Sequence, residues 1–443
     1  MLERILHWRK KKEAVAPLTD NGIRFGRYSD NNKPLDKVQE WTRSETLFKE
    51  QKFHESIEAF FNYLRDDEAG NVVLNKGADG EGQFHLFQGS KIIRGFYNND
   101  ILEAGVTLAA MPQPSVPVMR RLLEMNFNLY YTRYALHEEK LVMLFTSDVA
   151  TANPGKLYYG LKELATRADK QDDLLVHDFT ALQVADVEHV AEIPTAEKEV
   201  KYKYLQQWIK ETLDLAATVD GDKYAGGVAY LLLALAFRID FLIVPEGKLL
   251  VAVERIVEIY FRKDERPVPV KNSDMMEEFA KLQAKTKDEI FPNLFRSRYT
   301  FSIVTPQAHK TIADAIYNAN QNIRWYKEAK HTQIAAKISE YGIAYCQYSY
   351  SLPRPVTELF SLFMEVNYPE YFAELGIKKD YYNRTTDALN KEAIITAVEA
   401  IQNAWQKKYP QLKMKLDKVR FDGIVAFNQS FTTEIEYLNL ETK

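Results

Sequence analysis

Between Leu35 and Val176 the apolar residues switch repeatedly between the helical and the strand period, and this switching most constrains the fold. Trp41, Leu47, Phe48, Phe53, Ile57, Phe60 and Phe61 recur at helical spacing and predict two antiparallel helices broken near Gln51–Lys52. Strand-like runs follow at Val72–Leu74, Phe84–Phe87, Lys91–Gly95 and Ala104–Ala109, each bounded by turn residues. Pro117 opens a helix through Met125, and Asn126 is expected to stop it because asparagine tolerates the left-handed conformation at a helix end. Further strands are expected at Tyr130–Leu136 and Leu141–Thr146, then a long helix over Pro154–Val176. Helices of this amphipathic kind bury their apolar stripe on the sheet, so the fold class is α+β, with helices packed on antiparallel sheets.

At 443 residues the chain is longer than one hydrophobic core usually organises, so it reads as multi-domain. The divisions are a basic leader over 1–36, a helical hairpin plus α+β domain over 37–190, a mainly helical region over 200–290, and a C-terminal α+β domain over 291–443. In the last of these, strands are expected at Tyr299–Val304, Gly342–Tyr350, Lys413–Phe421 and Ile424–Tyr437, with helices over Pro306–Tyr326 and Lys391–Tyr409. A strand, a proline-rich turn and a helix ending in Glu124-Met125-Asn126-Phe127 find an echo in Glu365-Val366-Asn367-Tyr368. That echo suggests a repeat of the first α+β unit in the C-terminal half. The most apolar segment, Ala225–Phe237, ends at Arg238 and Asp240, short of the roughly 20 residues a membrane span needs, and is expected to be a buried core helix.

Residues with chemical potential are scattered. Cys346, the single cysteine, sits in an alternating apolar run and is expected to be a packed strand residue rather than a nucleophile. His137 beside Glu138 and Glu139 reads as a hairpin turn. Asp220 and Asp222 begin like a calcium loop, but Tyr224 and Ala225 stand where further oxygen ligands belong. Glu254, Glu258 and Arg262 fall one helical turn apart and read as an exposed ion-pair row. The glycines Gly77, Gly80 and Gly82 lack the helix and Lys-Ser/Thr pair of a phosphate cradle, so they read as a turn. No catalytic, cofactor-binding or metal-ligating residue is nominated.

A net charge of −4, with both signs mixed along the chain, gives no clustered basic face for nucleic acid. One cysteine excludes an intrachain disulfide and fits a reducing, cytoplasmic setting. The leader carries nine Lys and Arg through Lys37 against five Asp and Glu, with Leu2, Ile5, Leu6 and Trp8 at helical spacing ahead of Arg9–Lys12. Two readings stay open for residues 1–12: a membrane-surface contact, or a terminus that folds back.

Two resemblances add to this. Leu47-Phe48, Phe53, Ser56-Ile57 and Phe60 are similar to one tetratricopeptide hairpin, with no second copy evident. Leu122-Leu123-Glu124-Met125-Asn126, a strand pair, then Leu157, Leu161, Leu164-Ala165, Ala168-Asp169, Asp172 and Leu174 resemble the YbjN-like proteins and, more distantly, the type III secretion (Tir-type) chaperones, over residues 70–180. The resemblance implies helices packed on a curved antiparallel sheet and a protein-binding role, often as dimers. It carries Leu122, Leu123 and Asn126 over as packing and capping positions and implies no catalytic residue. The expectation is a non-enzymatic, chaperone-like or adaptor protein that binds another protein or its own copy. A structural subunit of a larger assembly, or an enzyme without a recognisable motif, is the alternative.

Overall fold

The computed structural model describes residues 22–30, 33–77, 80–185 and 190–442, and the 1–12 segment of the leader lies outside them. The chain divides into two compact units. Unit 1 takes Lys33–Glu192 and Arg296–Ile303; unit 2 takes Ile23–Asn32, Ile193–Phe295 and Val304–Lys443. The protein is α+β and multi-domain.

Unit 1 opens with the hairpin α1 (Leu35–Lys49) and α2 (Phe53–Leu64), broken where Gln51 takes φ 60°. Strands β1 (Val72–Lys76), β2 (Gly82–Gly89), β3 (Lys91–Tyr97) and β4 (Ile101–Ala110) follow. Next come α3 (Val116–Asn126), β5 (Thr132–His137), β6 (Lys140–Asp148) and the long α4 (Pro154–Asp178). The sheet order is β1-β2-β3-β4-β6-β5, antiparallel throughout. Residues two apart share a face of a strand. Hence Phe84, Leu86, Ile93, Leu102, Ala104, Val106, Met143 and Phe145 join Leu157, Leu161, Leu164, Ala165 and Ala168 of α4 in one core. Gly160 lets α4 approach closely, since a Cβ there would overlap the Phe145 ring.

The unit is completed from far along the chain. A short strand β8 (Arg298–Tyr299) pairs with β2, as β7 (Gln183–Val184) pairs with β4. The Gln88 amide oxygen accepts from the Thr300 and Phe301 N–H groups at 3.3 and 3.0 Å, its nitrogen donates to the Phe301 carbonyl at 3.2 Å, and the Phe301 ring is fully buried in this core.

Unit 2 is helical: α5 (Thr195–Ala217), α6 (Ala225–Arg238), α7 (Gly247–Phe261), α8 (Val268–Gln283), α9 (Lys287–Ile290), α10 (His309–Asn320), α11 (Ile323–Glu328), α12 (Thr332–Ser349), α13 (Arg354–Asn367), α14 (Pro369–Glu374), α15 (Lys391–Trp405) and α16 (Ile424–Glu436). A π turn over Ile239–Ile243 extends α6. The resulting Ala225–Ile243 rod is long and apolar enough to cross a membrane by composition, yet 89% of it is buried inside the unit. It is the core helix its sequence suggests, and one contiguous core gathers α5 to α8 and α12 to α16 around it.

The C-terminal strands are not formed. Of Gly342–Tyr350 all but Tyr350 is the second half of α12, and of Ile424–Tyr437 all but the capping Tyr437 is α16. Phe427, Phe431 and Ile435 are buried four residues apart, a spacing that satisfies the strand period of two as well as a helix face, and packing selects the helix. Lys413–Phe421 is irregular with one turn at Leu416–Lys418 and with Met414 and Val419 buried, and of Tyr299–Val304 only Tyr299 lies in a strand of this sheet. The helix expected over Pro306–Tyr326 splits at Gln321–Asn322 into α10 and α11. No repeat of the sheet unit stands here: α13 is helical like α3, but it follows α12 and the two-residue pairing of Tyr350–Ser351 with Thr305–Pro306, and α14 comes next instead of a strand pair.

Candidate docking surface

Helix α3 is apolar on two sides. Val118 and Leu122 are buried in the unit 1 core, as amphipathic packing requires. Val116, Met119 and Leu123 point the other way and are 77, 42 and 67% exposed. Phe127 extends that stripe by one more turn at 90% exposure, and Tyr130 in the following loop is also 90% exposed. Tyr131 and Leu136 add to the same stretch of chain, so six large apolar side chains between Val116 and Tyr131 face solvent. Scattered exposed apolar residues are normal on a protein surface, whereas a stripe at helical spacing marks an interaction face. Strand β5 ends the sheet order, so one row of its backbone groups has no strand beside it among the described residues.

The loop is held rigidly. The Glu163 carboxylate on α4 accepts from the N–H groups of Tyr130, Tyr131 and Thr132 at 2.9, 2.8 and 2.9 Å, and from the Thr132 hydroxyl at 3.0 Å. Burial alone would push its pKa up, but these donors outweigh burial and hold it below the ordinary carboxylate value. Asn126 ties the end of α3 to β5: its oxygen accepts from the Tyr134 N–H at 2.8 Å and its nitrogen donates to the Tyr134 carbonyl at 3.3 Å. It is therefore not a left-handed cap; the capping residue is Phe127 at φ −65°. Of the two leucines expected in the packing, Leu122 is buried and Leu123 faces solvent.

The residues weighed for chemistry go elsewhere. Cys346 is buried in α12 rather than in a strand, and burial pushes its thiol up to about 12, so it is inert. His137, Glu138 and Glu139 make the β5–β6 turn, with Glu138 at φ 51°. The Asp220 carboxylate accepts from the Asp222 and Lys223 N–H groups at 3.2 and 3.0 Å, a turn rather than an ion site. Glu258 pairs with Arg262 at 3.3 Å as expected, but Glu254 turns to Arg27 at 3.2 Å. Gly82 begins β2, so the glycine segment is a hairpin connection. Among the described residues no group of three or more His, Cys, Asp and Glu is placed to hold a metal.

A buried ion cluster that no sequence motif announces lies in unit 2. Glu340 on α12 receives Arg238 Nε at 2.7 Å on one oxygen, and Lys337 Nζ at 2.8 Å and the Tyr368 hydroxyl at 2.6 Å on the other. The Arg238 guanidinium lies 4.8 Å from the Tyr368 ring centroid and 5.5 Å from that of Trp208. Burial would raise Glu340, but Arg238, then Lys337 and Tyr368, hold it down at about 2. Burial first, then Arg238, push Lys337 down. Both carboxylate oxygens are taken up by these neighbours, so the cluster locks α6, α12 and the start of α14 together. The signal was available in sequence: Arg238 and Asp240 are charges inside an apolar helix, and such charges need buried partners.

No protein-family model matches the chain, and no curated protein matches it either.

Proposed function

We propose that this is a non-enzymatic, chaperone-like or adaptor protein whose docking face is the outer stripe of α3, the Phe127–Tyr131 loop and the β5 edge. The observation that carries this reading is the pair of aromatic side chains, Phe127 and Tyr130, each 90% exposed on a loop fixed by Glu163. Rigid aromatic anchors bind at low ordering cost, which is why they dominate interface hot spots. The resemblance to YbjN-like proteins and Tir-type chaperones supports it, since α3 and α4 pack with an antiparallel sheet over the residues that carry the likeness. A second copy is the first partner to test. Arg120 and Glu124 flank the middle of the stripe, so two α3 helices crossing antiparallel bring each arginine against the other's glutamate.

The test uses the full chain and Leu123→Asp/Phe127→Asp. Sedimentation velocity at micromolar concentration is expected to show wild-type dimer and variant monomer. In parallel, wild type is expected to suppress aggregation of a heat-unfolded client at equimolar ratio, with the variant at least tenfold less effective. Equal behaviour of the two proteins in both assays rules the docking face out.

A further inference from the structure

We propose that the π turn of unit 2 and the side chains around it form a recognition site for an aromatic–Gly–Arg peptide, filled in cis by Phe25-Gly26-Arg27. The site is assembled by elements remote in sequence from the segment it holds. Phe25 packs edge-on against Phe372 with ring centroids 5.1 Å apart and stacks on Phe241 at 6.3 Å. Gly26 donates its N–H to the Phe241 carbonyl at 2.8 Å. The Arg27 guanidinium carbon lies over the Tyr348 ring, 4.1 Å from its centroid; its Nε meets both oxygens of Asp240 at 3.1 and 3.0 Å, and its Nη2 reaches Asp240 at 2.8 Å and Glu254 at 3.2 Å. The Ser29 hydroxyl closes the contact on that of Ser351.

Each specificity element has a physical cause. A π turn releases carbonyls from the helical ladder, and here Tyr371 donates its hydroxyl to the Leu242 carbonyl while the peptide donates to Phe241. The turn ends at Val244 with φ 51° and ψ 64°, a left-handed conformation that a β-branched residue adopts only under constraint. Gly26 is required twice over: its φ is +72°, and a Cβ would lie 2.6 Å from Phe241 Cδ2 and Cε2. Asp240 is 3% exposed, and a carboxylate that deep needs a cation; the planar guanidinium fills the role with a fork that lysine lacks. The segment bends at Gly26 and has no regular secondary structure, so the rest of unit 2 supplies the slot, the carbonyl and the carboxylate, and the segment supplies the ligand.

Gly26→Ala in the full chain is expected to expel the segment without altering the site, which faster tryptic cleavage after Arg27 verifies. A fluorescein-labelled peptide of residues 22–30 is then expected to bind the variant saturably at micromolar concentration, and wild type at least tenfold more weakly because the tethered copy competes. The same peptide with Arg27→Ala is expected not to bind. Absence of saturable binding to a variant with native circular dichroism overturns the proposal. A second measurement on wild type covers a variant that fails to fold. The Gly26 amide is expected to exchange at least 100-fold faster than buried amides of α6, through local release; exchange at the rate of global unfolding overturns the proposal.

Discussion

Glu340 shows how much a single buried charge decides. Its folded-state pKa of about 2 lies below the ordinary 4.5, so the stability it contributes is present above pH 4.5 and is lost as pH falls toward 2. Glu340→Gln leaves Arg238 buried without its counter-charge and is expected to destabilise by about 3–5 kcal/mol, with a flatter acid limb in urea titrations. Glu436 on α16 works in the opposite sense. Burial raises it to about 7, Glu434 adds to the rise, and the Asn320 amide, 3.2 Å away, opposes it. A raised carboxyl favours the folded state at low pH, so its contribution fades as pH climbs from 4.5 to about 7. Glu436→Gln is expected to remove that slope, read as the urea midpoint against pH. At this scale the sequence was legible for His137 and Asp220, which sit in the turns their neighbours imply, and for the burial of Cys346, though its alternating neighbours pointed to a strand and it lies in a helix. For Arg238 the need of a buried partner was legible but not its identity, because partners 102 residues apart meet only in the folded chain.

Among the elements, α3 and α16 teach opposite lessons. The pattern around α3 gave its limits nearly to the residue, yet it did not tell Leu122 from Leu123, because only the position of the sheet decides which leucine is inward. For α16 the four-residue spacing of Phe427, Phe431 and Ile435 read as strand alternation, and packing on α10 and α12 turns that face inward as a helix. The loop after α3 depends on an element that a local reading does not couple to it. Glu163→Gln weakens charge-assisted bonds to three successive amides, so the Tyr130, Tyr131 and Thr132 amides are expected to exchange at least tenfold faster while those of α4 keep their protection. Unchanged exchange at these amides removes Glu163 as the loop's anchor.

For the whole molecule the chain path matters most. Unit 1 is closed by Arg296–Ile303, more than 100 residues after Glu192, and unit 2 takes Ile23–Asn32 from ahead of unit 1. Cutting at Glu192 therefore does not release a complete unit. Residues 33–192 alone are expected to be poorly folded, and a peptide of residues 295–304 is expected to restore cooperative melting. Phe301→Ala in the full chain is expected to cost about 3–5 kcal/mol, the range for a large aromatic deleted from a core.

The amino-acid sequence by itself determined the periods of unit 1, the buried status of the Ala225–Phe237 helix and the turns at the acidic and glycine-rich segments, because these follow from local sterics and from which side chains avoid water. Tertiary structure alone decided which face of α3 stays open, that the C-terminal half is helical, that Glu340 and Asp240 have buried cations, and that distant segments complete both units. Those outcomes depend on contacts between residues far apart in the chain, whose free energy exists only once the surfaces meet.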